Sequence, residues 1–280
     1  MQILQLLRSG SKILKEKMII SHSLDAELIL SDVLKKPREK ILISLEDEVS
    51  KENIEKFNKK ISRRAKKEPV AYILRNKEFW KKKFLVNRNT LVPRPETELL
   101  VEKLVKIFKN KNSFFLDIGT GSGCIILSIL EEIKSSRGIG LDISKKAIDT
   151  AIKNSYKMKL SNKCKFLKTP LNQIFNYKFD FIVSNPPYIC RHQIKNLSED
   201  IKKFEPRIAL DGGNDGLDVI KKVIYKSKYI LKKRGLLALE IGNGQYFKVS
   251  QILKLQGFKI NFLIKDYQKN IRCILSTLIN

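Results

Sequence analysis

Histidine and paired cysteine are scarce in this chain. Its two histidines, His22 and His192, lie far apart, and its four cysteines, Cys124, Cys164, Cys190 and Cys273, form no C-x-x-C pair. That spacing excludes the usual zinc sites and a disulfide framework, so no metal is expected and a reducing cytoplasm is the expected compartment. Long apolar runs are lacking too: the opening stretch "MQILQLLRSGSKILKEKM" is amphipathic and broken by Lys and Arg, which argues against a secretory signal, a span or any membrane partner. Acidic residues are outnumbered, 29 against 56 Lys and Arg, leaving a net charge of +27. Because lysine, isoleucine and asparagine are abundant everywhere, as an AT-rich coding bias produces, this charge allows proximity to RNA or an acidic protein without establishing either. What is present is 42% hydrophobic residues in 280, enough for one large or two ordinary domains.

Up to about residue 75 the apolar positions recur at helical spacing, as in "SLDAELILSDVLKK", where Leu24, Leu28 and the cluster from Leu30 to Leu34 mark one face. Ser23 or Asp25 is expected to cap that helix and Pro37 to end it. "KENIEKFNKKISRRAKK" repeats the pattern with Ile54, Phe57 and Ile61, so 1–75 reads as a small all-α domain. From 76 to 92, "EFWKKKFLVNRNTLV" suits a β-hairpin connector with Phe79 and Trp80 in its core. "PRPETELLVEKLVKIF" then opens a helix, with Pro95 in its first turn, Glu96 and Glu98 at the positive end of the dipole, and Leu100, Leu104 and Ile107 facing inward. Beyond Asn112 strand and helix alternate, so 93–280 is expected to be an α/β domain with a mostly parallel, doubly wound sheet that binds its ligand beyond the strands' carboxyl ends.

"LDIGTGSGCIIL" carries the cofactor signal. Gly119, Thr120, Gly121, Ser122 and Gly123 follow a strand and open a helix, where absent Cβ atoms let the backbone turn tightly against a ligand; a packing turn alone would explain the glycines less fully. Asp117 stands before them, and Asp142 closes the next strand about twenty residues on, where a carboxylate accepts hydrogen bonds from ribose. There is no G-x-x-x-x-G-K-[ST], and the spacing G-x-G-x-G departs from the dinucleotide pattern. A second signal is "IVSNPPYI", where a strand stops at two prolines, residues that cannot donate to a sheet and hold φ nearly constant. By itself this is a stiff strand end.

The acidic residue and glycine turn resemble the class I methyltransferases, which bind S-adenosyl-L-methionine. The resemblance implies a Rossmann-like domain with a seven-stranded sheet, Asp117 and the glycine turn against the methionine part, and Asp142 on the ribose. Asn185-Pro186-Pro187-Tyr188 at the end of the fourth strand resembles the signature of enzymes that methylate adenine, guanine or glutamine NH₂ groups. In that role the Asn185 side-chain oxygen and the Pro186 carbonyl accept the two hydrogens of a delocalised NH₂, Pro187 stiffens the loop, and Tyr188 covers the amide plane, so that positioning supplies most of the acceleration.

"SLDAELILSDVLKKPREKIL", "EPVAYIL", "KEFW", "LVPRPETELLVE" and "FEPRIALDGGNDGLDVI" extend the likeness over nearly the whole chain, to the release factor glutamine methyltransferase family (PrmC/HemK). That resemblance implies S-adenosylmethionine-dependent methylation of the glutamine in the Gly-Gly-Gln motif of class 1 peptide chain release factors, with the helical domain docking the substrate. The chain departs from the family pattern at Arg75, where glycine is usual, and after the third strand, where "KFLKTPLNQIF" lacks the acid and aromatic that flank adenine and leaves Leu171 as the candidate wall. The C-terminal "KDYQKNIRCIL" has lost a glycine. Phe204, Glu205 and Pro206 are expected to order the loop after Tyr188, and His192 to be a surface residue. Two other readings stand beside this one: a nucleic-acid amino-methyltransferase, which the charge and shared tetrapeptide suit, and a scaffold without cofactor binding, which the missing acid suits.

Overall fold

A computed structural model describes residues 1–174 and 177–279. The chain divides into two compact units: one comprises Met1–Asn76 with Ser198–Phe204, the other Lys77–Leu197 with Glu205–Asn280. Among the described residues no helix is long and apolar enough to cross a membrane.

The first unit holds α1 (Ile3–Glu16), α2 (His22–Leu34), α3 (Arg38–Ile43), α4 (Lys51–Ala65) and α5 (Val70–Leu74), together with a short helix from its later segment. Leu6, Leu14, Ile29, Leu30, Phe57 and Ile61 form its core. The expected face of α2 is displaced by about a quarter turn: Leu24 is 45% exposed, while Asp25, Ala26, Ile29 and Leu30 point inward. The reason is a buried ion pair. Asp25 accepts from Arg64 Nε at 2.6 Å and from the Ser21 hydroxyl at 2.9 Å, so it braces α2 against α4. It does not cap its own helix; Ser21 is the cap residue, and the helix ends at Leu34 with Lys35 left-handed, two residues before Pro37. Helix α5 ends in the same way on Arg75, whose φ of 59° explains why glycine suits that position and costs about 1–2 kcal/mol here.

The hairpin of β1 (Asn76–Phe79) and β2 (Lys82–Leu85), all but Asn76 in the second unit, is shorter than the 76–92 span. Phe79 is buried, as expected; Trp80 is half-buried, and its indole donates to Glu132. There follow α6 (Pro95–Phe108), β3 (Phe114–Ile118), α7 (Cys124–Glu132), β4 (Arg137–Asp142), α8 (Lys145–Lys157), β5 (Cys164–Lys168), β6 (Phe179–Ser184), α9 (Glu199–Phe204, in the first unit), α10 (Asp218–Ile230), β7 (Leu231–Glu240), α11 (Tyr246–Leu255), β8 (Phe258–Lys265) and β9 (Ile271–Leu278). The sheet has seven strands in the order β5-β4-β3-β6-β7-β9-β8, parallel except for the two pairings of β9. The alternation lapses between β5 and β6, which no α-helix separates among the described residues, and at the end, where β8 and β9 follow each other and close the sheet antiparallel.

Side chains alternate between the two faces of each strand. Leu116, Ile139, Ile182 and Leu237 pack with Ile220, Ile224 and Leu253 of α10 and α11. Phe115, Phe181, Val183 and Ala238 pack with Leu100 and Leu104 of α6 and Ile126 of α7, while Ile107 is only half-buried. By the same period, Asp117, Asn185 and Glu240 fall on the α6 and α7 side at the carboxyl ends of β3, β6 and β7. Asn185 and Glu240 thereby meet Thr97 in the first turn of α6, while Asp117 meets Thr120 ahead of α7.

Arg64 and Asp25 side chains are 9% and 8% exposed, so Asp25→Ala leaves a buried cation unpaired and should destabilise the chain by about 3 kcal/mol in equilibrium urea unfolding, whereas Asp25→Leu with Arg64→Met should recover most of the loss.

Candidate active site

Strands β3 and β6 are parallel neighbours with Ile118 opposite Ser184, and the Ser184 hydroxyl donates to the Ile118 carbonyl at 2.8 Å. The glycine turn and Asn185 therefore leave the sheet side by side, one strand spacing of about 5 Å apart. Gly119 and Thr120 donate their amides to the Leu141 carbonyl at 2.8 and 2.9 Å, which bends the turn over β4. Gly119 and Gly121 have φ of 74° and 56°, a conformation that disfavours other residues. A Cβ on Gly119 would meet nothing within 4 Å, so the turn faces open space there. Gly123 differs in function: it caps α7 and packs closely on Ala151.

Asp117 is fully buried. Its Oδ2 accepts from the Thr120 hydroxyl at 2.7 Å, while Oδ1 has no partner of hydrogen-bonding geometry among the described residues. Burial pushes its pKa up to about 7, with the Thr120 hydroxyl and Ile126 amide opposing and the Asp142 charge adding to the rise. Ser122 is buried as well, with its hydroxyl unpartnered. Asp142 accepts from the Gly121 amide at 3.0 Å and the Ser144 amide at 2.8 Å, and burial raises its pKa despite those bonds. Thr169 donates its amide to the Asp142 carbonyl at 3.1 Å, and Leu171, two residues on, lies half-buried against the core. An orphaned buried carboxylate oxygen beside an open glycine turn fits a ligand with a cationic head.

Asn185 donates Nδ2 to the Thr97 hydroxyl at 3.1 Å, leaving Oδ1 without a partner among the described residues. Pro186 is buried, while Pro187 and Tyr188 are half-buried. The Tyr188 hydroxyl donates to Glu240 at 3.3 Å, and burial, followed by the Glu240 charge, raises its pKa. The loop beyond is clamped: Ile189 bridges Asp211, and Gln245 donates to the Tyr188 carbonyl at 2.9 Å. Gly212 is required by close approach, since a Cβ there would lie 2.8 Å from the Pro187 carbonyl and 2.7 Å from that of Gly216. The "DGGNDG" stretch is thus a backbone clamp on the proline loop.

Residues 5–74 match the family model described as the PrmC N-terminal domain, and residues 95–204 match the methyltransferase small domain. The release factor glutamine methyltransferase of Clostridium botulinum is 39% identical over 273 residues, with 96% of each chain covered. That of Caulobacter vibrioides is 36% identical over 264 residues, covering 94% of this chain and 91% of its own length. The chain belongs to the release factor glutamine methyltransferase family. It also spans 58% of the length of the bifunctional methyltransferase of Rickettsia prowazekii, at 35% identity and with 99% of this chain covered. Among solved structures the fold is shared with the hMettl16 catalytic domain in complex with MAT2A 3'UTR hairpin 6, at TM-score 0.58 and 17% identity over 79% of this chain and 82% of that one. A methyltransferase from Pyrococcus furiosus aligns at TM-score 0.52 and 15% identity, covering 69% and 87%.

Thr97 and Glu240, to which the sequence assigns no role, stand behind this site. The Thr97 hydroxyl donates to Glu240 at 2.6 Å, 143 residues away. Arg94 and Glu205 pair at 2.6 Å, and Glu205 also accepts from the Val92 amide at 3.3 Å, so the charges at the start of α6 do more than complement a dipole. An acid within "LLALEIG" was the available signal, because a carboxylate in a buried strand needs partners. His192 is exposed, as expected.

With its pKa raised from 3.8 to about 7, Asp117 holds a proton in the folded chain that the unfolded chain releases, so its contribution to stability is complete below pH 4 and falls as pH rises to 7. Asp117→Asn should make the decline in melting temperature between those pH values shallower, measured by thermal unfolding without cofactor.

Proposed function

We propose that this chain transfers a methyl group from S-adenosylmethionine to the side-chain amide nitrogen of the Gly-Gly-Gln glutamine in class 1 peptide chain release factors. One observation carries the reading: the open glycine turn with its unpartnered Asp117 oxygen and the Asn185-Pro186-Pro187-Tyr188 loop emerge from adjacent parallel strands. A methyl donor on the first and an NH₂ on the second would lie side by side. The names of the relatives supply the substrate, since the tetrapeptide alone leaves adenine, guanine and glutamine nitrogens open.

The cofactor, when bound, supplies an electrophilic methyl on a sulfonium. Asp117 would accept from its ammonium, Asp142 from its ribose hydroxyls, the residues Gly119, Thr120, Gly121, Ser122 and Gly123 would give the backbone room to approach, and Leu171 would wall the adenine. On the substrate side Asn185 Oδ1 and the Pro186 carbonyl take one amide hydrogen each, which turns the nitrogen lone pair toward the methyl. With that methyl supplied, these acceptors would hold the nitrogen in place and let it release one N–H proton to water once methylated. Pro187 and the Gly212 clamp hold these acceptors still, and Tyr188 covers the amide plane.

The helical unit is assigned to docking the release factor; Met18 and Ile20, 85% and 100% exposed, are apolar side chains available on it. The cytoplasm is the compartment where such a substrate is made, and the four cysteines are free thiols. The orphaned Asp117 oxygen argues against a scaffold that has lost its cofactor site.

Radiolabel from S-adenosylmethionine should appear in a purified class 1 release factor and vanish when the Gly-Gly-Gln glutamine is changed to Ala. Asn185→Ala should lower kcat/KM by about 100-fold or more with the melting temperature unchanged. Equal labelling of both release factors would reject the glutamine assignment, and label in RNA or DNA alone would favour the nucleic-acid enzyme.

A further inference from the structure

An asparagine amide has two ends of similar shape and opposite polarity, so Asn185 is useful only one way round. Facing a substrate NH₂, its oxygen attracts and its own NH₂ repels. Shape does not choose between the two, and the hydrogen-bonding partner must.

The partner is the Thr97 hydroxyl, which by itself is ambiguous because it can donate or accept. Glu240 removes the ambiguity. This side chain is 1% exposed at the end of β7, and an ionised carboxylate only accepts. Its Oε2 takes the Thr97 hydroxyl hydrogen at 2.6 Å, and its Oε1 takes that of Tyr188 at 3.3 Å. With its hydrogen committed, Thr97 meets Asn185 only as an acceptor, and Nδ2 lies 3.1 Å from it.

We propose that Glu240 and Thr97 are positioning residues that set the orientation of the Asn185 amide, so that Oδ1 is presented to the substrate nitrogen. This rests on the reading of Asn185 as the acceptor for a substrate amide. Neither residue touches the reacting atoms; the signal passes from carboxylate to hydroxyl to amide. The groups facing Glu240 are Thr97 and Glu96 of α6, Tyr188 after β6, and Arg272 and Cys273 of β9, which lies opposite it in the sheet. Arg272 and the two hydroxyls favour the carboxylate, while burial and Glu96 oppose it and lift its pKa to about 7. Measurements at pH 8.5 therefore hold it ionised.

Two readouts separate this inference from the proposed function. In ¹⁵N-labelled chain, with the Asn185 side-chain signals identified by their loss in Asn185→Ala, one Nδ2 proton should exchange slowly with solvent. Thr97→Val and Glu240→Gln should remove that protection, and Thr97→Ser should restore it. This comparison needs no substrate. In methyl transfer to the release factor, assayed below the melting temperature of every variant, Thr97→Val should lower kcat by about 100-fold, a misplaced-group effect, while cofactor Kd stays near that of the parent. Thr97→Ser should recover most of the rate, as a purely structural threonine would not predict. An unprotected Asn185 amide in the parent chain, or full kcat in Thr97→Val, would overturn the proposal. If the parent chain labels no release factor, the functional reading fails, and the exchange comparison still decides the orientation. Should Thr97→Val not fold, Glu240→Gln with the same two readouts decides in its place.

Discussion

The carboxylate of Glu240 is the constraint around which this end of the molecule is arranged. A charge enclosed at the end of an apolar strand is costly unless its oxygens are occupied. Here they are occupied by hydroxyls from two other elements, Thr97 in the first turn of α6 and Tyr188 in the proline loop. Three segments distant in sequence are thereby held at one point. Asn185 takes its place in that arrangement through Thr97.

Asp117, two strands away on β3 but on the same side of the sheet, is built differently. Only one of its oxygens is satisfied, and the glycine turn above it leaves space. One buried acid has both oxygens engaged within the protein, whereas the other keeps one oxygen without a partner among the described residues. Their pKa values rise alike to about 7 for the same reason, burial, although their roles differ. Perturbation alone would not tell them apart; the census of partners does.

The elements with strong local signals were legible. The α/β domain, the glycine turn and the stiff strand end follow from period, glycine and proline, while the strand count of seven came with the family resemblance. Helix α2 was misread because its buried face includes an acid, Asp25, which periodicity of apolar residues counts as surface. The hairpin ran shorter than its β-rich composition implied, and β8 and β9 paired directly because adjacent strands at a sheet edge need no crossover when antiparallel. Arg75 showed that the backbone conformation of a turn can outlast the glycine that suits it.

The sequence by itself determined which residues carry chemistry: a carboxylate and flexible backbone before one helix, and an amide locked between a strand and two prolines. These are local matters, set by φ restrictions and side-chain donors within a few residues. Only the tertiary structure decided that the two lie on adjacent strands, and that Thr97 and Glu240, 143 residues apart, stand behind the amide. Strand order and side-chain facing are set by packing of the whole sheet, a sum over many distant contacts that no short stretch of the chain contains.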